Sequence, residues 1–411
     1  MILHGEIHPD FGQVAETIIK MLPKDGPGGA ALCVYHYGEK VVDIWGGTKN
    51  REGSPWEKDT LVFSASTTKG VTSTLLHILI DRGLADYDDP IAKHWPEFAQ
   101  NGKGGITIRH ALSHQAGLYN IADYGYSKDH LWQWSEAIKL LEQATPVHEP
   151  GLHSAYHGIT YGHIIGGLIE KLTGKPFQQV LKEELADPLD LDGLFIGVPS
   201  SELSRLAKLI TLDGRIGIAL KSYQKIHPWA RLILHYLTKL TGSDFTHFAK
   251  ALAPDFVDEI CFNDHDAMQA IIPAANGAFT ARSLAKMYAV LANGGELDGK
   301  RIMSASRIEK LNTQQSRGRD KVINLPMNWR LGYHQIVTLK GTLPNSFGHF
   351  GFGGSGAWCD PSKNLAMAMT INTGIGTPTG DFRTVKIARD VVHCAIRRHR
   401  WHEGLQEVPA Q

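Results

Sequence analysis

Strand-like runs of apolar residues lie near both ends of the chain. Near the start, "AALCVYHYG" (30–38) and "KVVDIWGG" (40–47) are joined by a glycine-containing turn, and "TLVFSAS" (60–66) follows. The same rhythm returns near the end in "LGYHQIVTL", "SFGHFGFGGSGAWCD" and "NLAMAMTIN". Short apolar runs bounded by glycine and polar turns are typical of β-strands. The pattern therefore predicts two groups of strands, one from each end of the chain.

Helical spacing flanks and separates these runs. Apolar positions over residues 10–22 recur with the period of an amphipathic helix. A second helical pattern begins at Ser66 and stops at Gly83, a residue type that often ends helices. Residues 84–300 are mostly helical with loops, and a long helix over about 380–400 closes the chain.

These elements predict an α+β protein with one antiparallel sheet built from both chain ends, flanked by terminal helices, and a second, mostly helical domain inserted. The predicted sheet domain is discontinuous, with residues 1–83 and 300–411, and the helical domain comprises residues 84–299. Within it, residues 200–270 are the least patterned, although they contain the helix-like run "ARLILHYLTKL". We expect this segment to lie near a pocket, and a cleft between the two domains is the natural place for a ligand.

Charge and cysteine content narrow the class of partner. The chain has 411 residues, with 42 Lys+Arg against 42 Asp+Glu, so it lacks the basic excess of proteins that bind nucleic acid or anionic membranes. The basic cluster "RRHRWH" at 397–402 suits the solvated end of the last helix. No apolar run reaches 18 residues, and the start lacks the regions of a signal peptide. The four cysteines have no C-x-x-C spacing, which favours reduced thiols and a cytoplasmic location. We therefore expect a small-molecule partner, no nucleic acid and no membrane.

A serine and a lysine three residues apart, Ser66 and Lys69 in "FSASTTKG", are the first candidates for chemistry. A serine hydroxyl is a weak nucleophile until a base takes its proton, and positions i and i+3 share a face of a helix. A lysine can be that base when burial lowers its pKa, and an amide N–H at a helix N-terminus can point toward a developing oxyanion. The alternative is a serine that caps the helix beside an exposed lysine.

The same S-x-x-K spacing occurs at Ser222 and Lys225. That copy lies in the poorly patterned segment, without a strand before it and with Pro228 just after it. We interpret it as a chance match.

Two further segments offer partners for Ser66. Tyr156 lies just before a predicted helix, and a buried tyrosine beside a lysine can relay a proton to a leaving group. The alternative is an ordinary packed aromatic. In "FGHFGFGGSG" (347–356), glycines within a strand region indicate either close approach of a ligand to the backbone or a bulged hairpin. His349 is there either a hydrogen-bond donor to a ligand or a packed ring.

Together these segments resemble the serine β-lactamase and penicillin-binding-protein superfamily, in which S-x-x-K is a signature. More closely, the chain resembles the family VIII carboxylesterases, which are class C β-lactamase-like esterases. The resemblance rests on "SASTTKGVTS", "GEIHPDFGQV", "VVDIWGG", "ITIRHALSHQAGL" and "NGAFTARSLAKMYAVLANGG" as well as on "FGHFGFGGSG". It covers most of the chain apart from about 200–270. It implies a β-lactamase/transpeptidase-like fold.

The resemblance also implies roles for three residues. Ser66 is the expected nucleophile, Lys69 the base and Tyr156 the second proton-transfer group. The implied reaction is hydrolysis of a small carboxylic ester through an acyl-enzyme on Ser66, which water then cleaves with help from Tyr156 and Lys69. No cofactor and no metal are implied.

The third segment departs from the β-lactamase pattern. By resemblance, His349 and Gly351 lie where the superfamily has K-T-G or H-x-G, and the amide of Phe352 is the second oxyanion donor. His349 replaces the lysine that helps to hold a lactam carboxylate, and Gly158 replaces the asparagine of Y-x-N that holds the amide side chain of the lactam. An ester needs neither group, so these changes favour an esterase. Weak β-lactam turnover and acyl transfer from the same acyl-enzyme remain as alternatives.

Other hydrolase classes have less support in the sequence. A Ser-His-Asp hydrolase needs G-x-S-x-G, and "GGSGA" fails at its last position. The pairs His110/His114 and His153/His157, with His163 after them, have the i, i+4 spacing of a zinc site but lack the glutamate of H-E-x-x-H. The natural ester and the oligomeric state are left open by the sequence.

Overall fold

Strands from the two ends of the chain form one antiparallel sheet. The computed structural model of the protein describes residues 2–23, 25–215, 217–221, 245–374 and 381–402. The strands are β1 (Leu3–Ile7), β2 (Gly29–His36), β3 (Glu39–Gly47), β4 (Val62–Phe63), β5 (Leu194–Phe195), β6 (Ala278–Phe279), β7 (Glu296–Leu297), β8 (Lys300–Arg301), β9 (His334–Thr338), β10 (Gly341–Phe350), β11 (Gly356–Asp360) and β12 (Leu365–Ile371). Within the described residues, seven of them form the main sheet in the order β1-β3-β2-β12-β11-β10-β9.

The two ends of the chain meet where β2 pairs with β12. Cys33 of β2 lies opposite Ala368 of β12 on one side and opposite Asp43 of β3 on the other. The neighbouring pairs of the sheet are also antiparallel. The predicted antiparallel sheet with strands from both chain ends is therefore confirmed.

Two strands differ from the sequence-based expectation. Residues 3–7 form the edge strand β1, which the sequence analysis did not predict because most of its side chains are exposed and show no alternation. The run 60–66 forms only the two-residue strand β4, which belongs to a separate small sheet with β6 and β5. Phe63 pairs with Ala278, and the chain then turns directly into a helix. The rest of that run is therefore used for a turn.

Helices cover the sheet and build the remainder of the protein. The helices are α1 (Gly12–Met21), α2 (Thr67–Asp81), α3 (Ile91–His94), α4 (Ile108–Leu112), α5 (Lys128–Trp132), α6 (Trp134–Gln143), α7 (Thr160–Thr173), α8 (Phe177–Leu181), α9 (Gly217–Lys221), α10 (Phe245–Leu252), α11 (His265–Gln269), α12 (Ala281–Ala292), α13 (Ala305–Leu311) and α14 (Phe382–His402). The predicted helices near 10–22 and 380–400 correspond to α1 and α14. The predicted helix-like run at 230–240 and the second S-x-x-K copy lie outside the described residues.

The terminal helices α1 and α14 pack together on one face of the sheet. Val14 of α1 belongs to the same buried apolar cluster as Ile387 and Val391 of α14. The hydroxyl of Thr17 donates a hydrogen bond to the buried carboxylate of Asp390, 2.7 Å away. This arrangement is the predicted flanking of the sheet by both terminal helices.

The opposite face of the sheet carries α2 and α12. Helix α12 contacts β2, β11 and β12, and α2 contacts β10. Both helices are almost entirely buried, and the buried residues of α2 include polar side chains, among them Lys69, Ser73 and His77. Because α12 lies on the sheet, part of residues 84–299 is integrated with it. The division of the chain into two domains at residues 83 and 300 stays a prediction.

Candidate active site

Strand β4 leads through a tight turn into α2, and Ser66 ends that turn. Ala65 has a φ of 43°, a left-handed conformation that is uncommon for a residue with a side chain and that often occurs at functional sites. Ser66 has helical dihedral angles and its side chain makes no capping hydrogen bond. Lys69 is fully buried. The interpretation of this stretch as a serine cap beside an exposed lysine is therefore wrong.

The amine of Lys69 lies close to the hydroxyl of Ser66. Its Nζ is 3.4 Å from Ser66 Oγ and donates hydrogen bonds to the carbonyls of Gly158, at 2.6 Å, and Ala274, at 2.9 Å. Among the described residues, no carboxylate pairs with this amine. Burial lowers the pKa of Lys69 well below its usual value, because a low-dielectric site disfavours the charged form.

Tyr156 lies on the loop before α7 and contacts the same hydroxyl. Its Oη donates a hydrogen bond to Ser66 Oγ across 2.7 Å, and its ring lies 4.7 Å from Lys69 Nζ. Burial raises the pKa of Tyr156 above its usual value, so the phenol carries its proton at neutral pH. The structure thus brings together the three residues that the sequence suggested for proton transfer.

Two residues beside Tyr156 were missed by the sequence analysis. The indole of Trp329 stacks on the Tyr156 ring, with centroids 5.6 Å apart and planes 5° from parallel. The carboxylate of Asp320 accepts hydrogen bonds from the Tyr156 backbone N–H and from the Trp329 indole. Both lie in an irregular segment without hydrophobic periodicity, so the pattern carried no signal beyond an isolated aspartate and tryptophan.

His349 lies behind Tyr156 rather than on the wall of the cavity over Ser66. Its ring is buried, 6.3 Å from the Tyr156 ring and 5.0 Å from that of His334. Nδ1 lies 2.9 Å from the carbonyl of Phe350, an acceptor, so the proton is on Nδ1. Burial, followed by His334 and Lys69, lowers the pKa of His349 well below its usual value. The ring is therefore neutral, and its Nε2 has no hydrogen-bond partner among the described residues.

The turn after β10 lies against the start of α2. A Cβ atom at Gly351 would lie 2.2 Å from the Ser64 carbonyl oxygen and 3.0 Å from Thr67 Oγ1. The N–H of Gly351 donates to another carbonyl of the same turn. The N–H groups of Ser66 and Phe352 have no hydrogen-bond partner in the described part of the chain. Both amides are therefore left without a backbone partner among the described residues.

An apolar cavity opens over Ser66. It has about 730 Å³ of empty space, including its mouth, and its lining includes Ser66, Tyr156 and Phe352. Much of the wall comes from residues 251–262, within the segment that the sequence places near the pocket. None of the described lining residues carries a charged side chain. The cavity therefore suits an uncharged, apolar group.

Helix α10 closes the cavity next to Gly158. A Cβ atom at Gly158 would lie 2.4 Å from Leu252 Cδ2 and 3.1 Å from the Ala251 carbonyl oxygen. The space that a side chain at position 158 would need is thus taken by Leu252. An asparagine at position 158 would require Leu252 to move.

Three of the four paired histidines of the sequence, His110, His114 and His157, accept structural hydrogen bonds. His110 Nδ1 accepts from the Thr107 N–H, and His157 Nε2 accepts from the Leu118 N–H. His114 Nδ1 accepts from the His157 N–H. In the part of the chain that the structure describes, no group of three or more His, Cys, Asp or Glu residues could hold a metal ion.

A sequence profile of the family described as Beta-lactamase matches residues 15–391. The chain belongs to this beta-lactamase family. Esterase/beta-lactamase LipL of Mycobacterium tuberculosis (strain ATCC 25618 / H37Rv) is 37% identical over 371 residues, which cover 90% of this chain and 82% of LipL.

Solved structures of the beta-lactamase fold agree with this assignment. A family VIII carboxylesterase aligns with a TM-score of 0.82 and 31% identity, over 96% of this chain and 100% of that chain. A penicillin-binding protein homolog from Caulobacter crescentus aligns with a TM-score of 0.81 and 30% identity, over 95% and 100% of the two chains. The resemblance to family VIII carboxylesterases and the β-lactamase/transpeptidase-like fold are therefore confirmed.

These relatives make this member of the beta-lactamase family a serine hydrolase of the esterase/beta-lactamase type. Across the described residues, every helix is too short or too polar to span a bilayer.

Proposed function

We propose that this protein is a carboxylesterase that cleaves small, apolar carboxylic esters through an acyl-enzyme on Ser66. The main support is one contact geometry. A single hydroxyl, Ser66 Oγ, lies within reach of the buried amine of Lys69 and receives a hydrogen bond from Tyr156. A nucleophile with an adjacent base and an adjacent proton donor is the arrangement that acyl transfer requires.

In the first step, Lys69 acts as the base. A neutral amine has two N–H bonds and one lone pair, and the two N–H bonds are taken by the carbonyls of Gly158 and Ala274. The lone pair is then left for the proton of Ser66. As that proton moves to Lys69, Ser66 Oγ bonds to the ester carbonyl carbon and the π electrons move to the carbonyl oxygen. The N–H groups of Ser66 and Phe352 hold this oxyanion.

In the second step, Tyr156 acts as the acid. The carbonyl re-forms and the C–O bond to the alcohol breaks, with the bond's electron pair leaving on the alcohol oxygen. Tyr156 protonates this oxygen and regains a proton from Lys69. Water then attacks the acyl-enzyme while the same pair accepts its proton, and the acid is released with Ser66 protonated again.

The substrate class follows from the cavity. Charged acyl groups would lose hydration in a lining without charged side chains. Gly158 offers no side-chain amide, and His349 is neutral and buried behind Tyr156. A simple apolar ester needs neither a side-chain amide at position 158 nor a charged side chain at position 349.

Weak β-lactam turnover is the second candidate function. LipL, the 37% identical relative, is named both an esterase and a beta-lactamase. The same acyl-enzyme on Ser66 would form from a lactam carbonyl, and a chromogenic cephalosporin would measure that activity.

The cytoplasmic location stays part of this proposal. Free cysteine thiols support it: three of the four thiols, those of Cys33, Cys359 and Cys394, are buried in the core. Reduced thiols are typical of proteins in a reducing compartment.

The deciding experiment compares wild type with Ser66→Ala in the hydrolysis of a short-chain p-nitrophenyl ester. We expect kcat to fall at least about 10³-fold, since loss of the nucleophile leaves only binding and oxyanion stabilisation. Intact mass after exposure to a serine-reactive phosphonate should show an adduct on the wild type and none on the variant. Ser135→Ala, at an exposed position on α6, is the control and should keep both the ester hydrolysis and the phosphonate adduct of the wild type. Near-wild-type hydrolysis by Ser66→Ala would refute the proposal.

A further inference from the structure

Asp320 is a buried carboxylate close to the candidate proton-transfer residues. It lies in the irregular segment between α13 and β9 and is 1% exposed. Oδ1 accepts hydrogen bonds from the backbone N–H groups of Tyr156, Val322 and Ile323, at 3.1, 2.9 and 2.9 Å. Oδ2 accepts one from Trp329 Nε1 at 2.9 Å. Within the described residues, no cation pairs with this carboxylate.

A buried carboxylate without a cation is energetically unfavourable, because burial removes water from its charge. Burial raises the pKa of Asp320, against the lowering effect of its four N–H donors. Replacing it with an apolar residue would leave three backbone N–H groups and the Trp329 indole N–H buried without an acceptor. The position of the four donors, rather than stability alone, indicates what this carboxylate does.

The four N–H donors connect the turn at Asp320 to Tyr156 and to the indole ring that stacks on Tyr156. Two come from the Asp320 turn itself, one from the backbone of Tyr156 and one from the ring that stacks on Tyr156. The indole of Trp329 is 1% exposed and nearly parallel to the Tyr156 ring. His114 contacts the indole at a centroid distance of 4.2 Å. The plane of the indole therefore fixes the plane of the phenol.

We propose that Asp320 is a positioning residue for Tyr156: Oδ1 fixes its backbone, and Oδ2 fixes its ring plane through Trp329. This inference rests on the proposed function of Tyr156 as the acid. The hydroxyl of Tyr156 reaches Ser66 Oγ at 2.7 Å from the far end of a long side chain. A small tilt of the ring is magnified at this hydroxyl, and a misplacement of about 1 Å can cost about 10²-fold in rate.

Substitution of Asp320 by asparagine tests the contribution of Oδ2 separately from that of Oδ1. In Asp320→Asn, the amide oxygen can still accept from the three backbone N–H groups. The amide nitrogen would then face Trp329 Nε1, and two donors would oppose each other. Trp329→Phe removes the indole donor and keeps an aromatic ring against Tyr156. The double variant has neither the two opposed N–H donors of Asp320→Asn nor the carboxylate oxygen that Trp329→Phe leaves without its donor.

The test measures kcat and KM for a p-nitrophenyl ester in both single variants and the double variant. We expect Asp320→Asn to lower kcat about 10- to 100-fold with KM within about twofold of wild type. Trp329→Phe should lower kcat less, and the double variant should return to the level of Trp329→Phe. The matched control is Asp360→Asn, a fully buried aspartate at the end of β11 that pairs with Lys363. It should change the melting temperature and leave kcat alone.

Three results would overturn the inference: unchanged kcat in Asp320→Asn, single-variant losses that multiply in the double variant, or the same kcat loss in Asp360→Asn. If circular dichroism shows that Asp320→Asn does not fold, unchanged kcat in Trp329→Phe overturns it instead. The outcome is separate from that of the proposed function. An inactive Ser66→Ala with a fully active Asp320→Asn would remove only the positioning role, whereas an active Ser66→Ala would remove both.

Discussion

Gly351 lies directly against Ser64, so that a Cβ atom at position 351 would be 2.2 Å from the Ser64 carbonyl oxygen. Ser64 precedes the nucleophile candidate by two residues, and Gly351 precedes Phe352 by one. The contact therefore joins the two segments that carry the amides proposed to hold the oxyanion, those of Ser66 and Phe352. A glycine is needed there because of this close approach and not because of its backbone angles.

Gly351→Ala should consequently impair the reaction. The added methyl would push the turn away from α2 and displace the Phe352 N–H. We expect kcat to fall about 10²-fold, the usual effect of losing one oxyanion donor, with a lower melting temperature. Gly353→Ala is the matched control, because a Cβ atom there would meet nothing within 4 Å. Equal losses of kcat in both variants would contradict the oxyanion assignment.

Tyr156→Phe removes one hydroxyl and keeps the ring stacked on Trp329. We expect kcat to fall about 10²- to 10⁴-fold, the range for loss of a general acid, while the melting temperature stays close to that of wild type. Tyr124→Phe is a suitable control, since Tyr124 is partly buried and its hydroxyl donates to the Gly117 carbonyl, 3.4 Å away, instead of to Ser66. A Tyr156→Phe variant with wild-type kcat would leave Tyr156 as a packed aromatic.

The rate should rise with pH as Lys69 loses its proton. Burial holds the pKa of Lys69 well below 10.5, so the neutral base forms at a lower pH than in an exposed lysine. We expect kcat/KM to increase through the pKa of Lys69 and then stay level, because burial keeps Tyr156 protonated. In the unfolded chain Lys69 titrates near 10.5, so between its lowered pKa in the folded protein and that value the unfolded state binds more protons. The contribution of Lys69 to the free energy of unfolding therefore rises with pH up to that value.

Lys69→Arg supplies the comparison for that profile. A guanidinium keeps its proton throughout the accessible range, so we expect little activity and no rise with pH. Initial rates across the pH range, with melting temperatures at each pH, measure both effects. The same rising profile in Lys69→Arg would assign the titration to another group.

Leu252→Ala should widen the range of acyl groups. Leu252 fills the space beside Gly158, and its truncation leaves room for a branched chain. We expect the ratio of kcat/KM for a branched ester to that for an acetate ester to increase about tenfold or more, in line with the value of a methylene group in an apolar pocket. Leu212→Ala, at an exposed position, should leave the ratio unchanged. A ratio that does not move would place the acyl group elsewhere in the cavity.

Local pattern was enough to predict some parts of this protein and not others. The main strands and the terminal helices follow from apolar periodicity, and Ser66 and Lys69 follow from their spacing at a helix start. The burial of Lys69 does not follow from that spacing, because the carbonyls of Gly158 and Ala274 come from distant parts of the chain. Asp320 could not be found for the same reason. Its partners are adjacent in space, and its own segment has neither helical nor strand periodicity.

The pairing of β2 with β12 has a consequence for how the protein forms. Residues 29–36 obtain one of their two neighbouring strands from residues 365–371, more than three hundred positions later. During synthesis, the N-terminal strands and the helix that carries Ser66 emerge long before that neighbour exists. Contacts of such long range slow folding, and they delay closure of the central sheet until residues 365–371 have been made. Strands β2 and β3 are thus held without this partner, exposed to aggregation or in need of chaperones, for most of the time that translation takes.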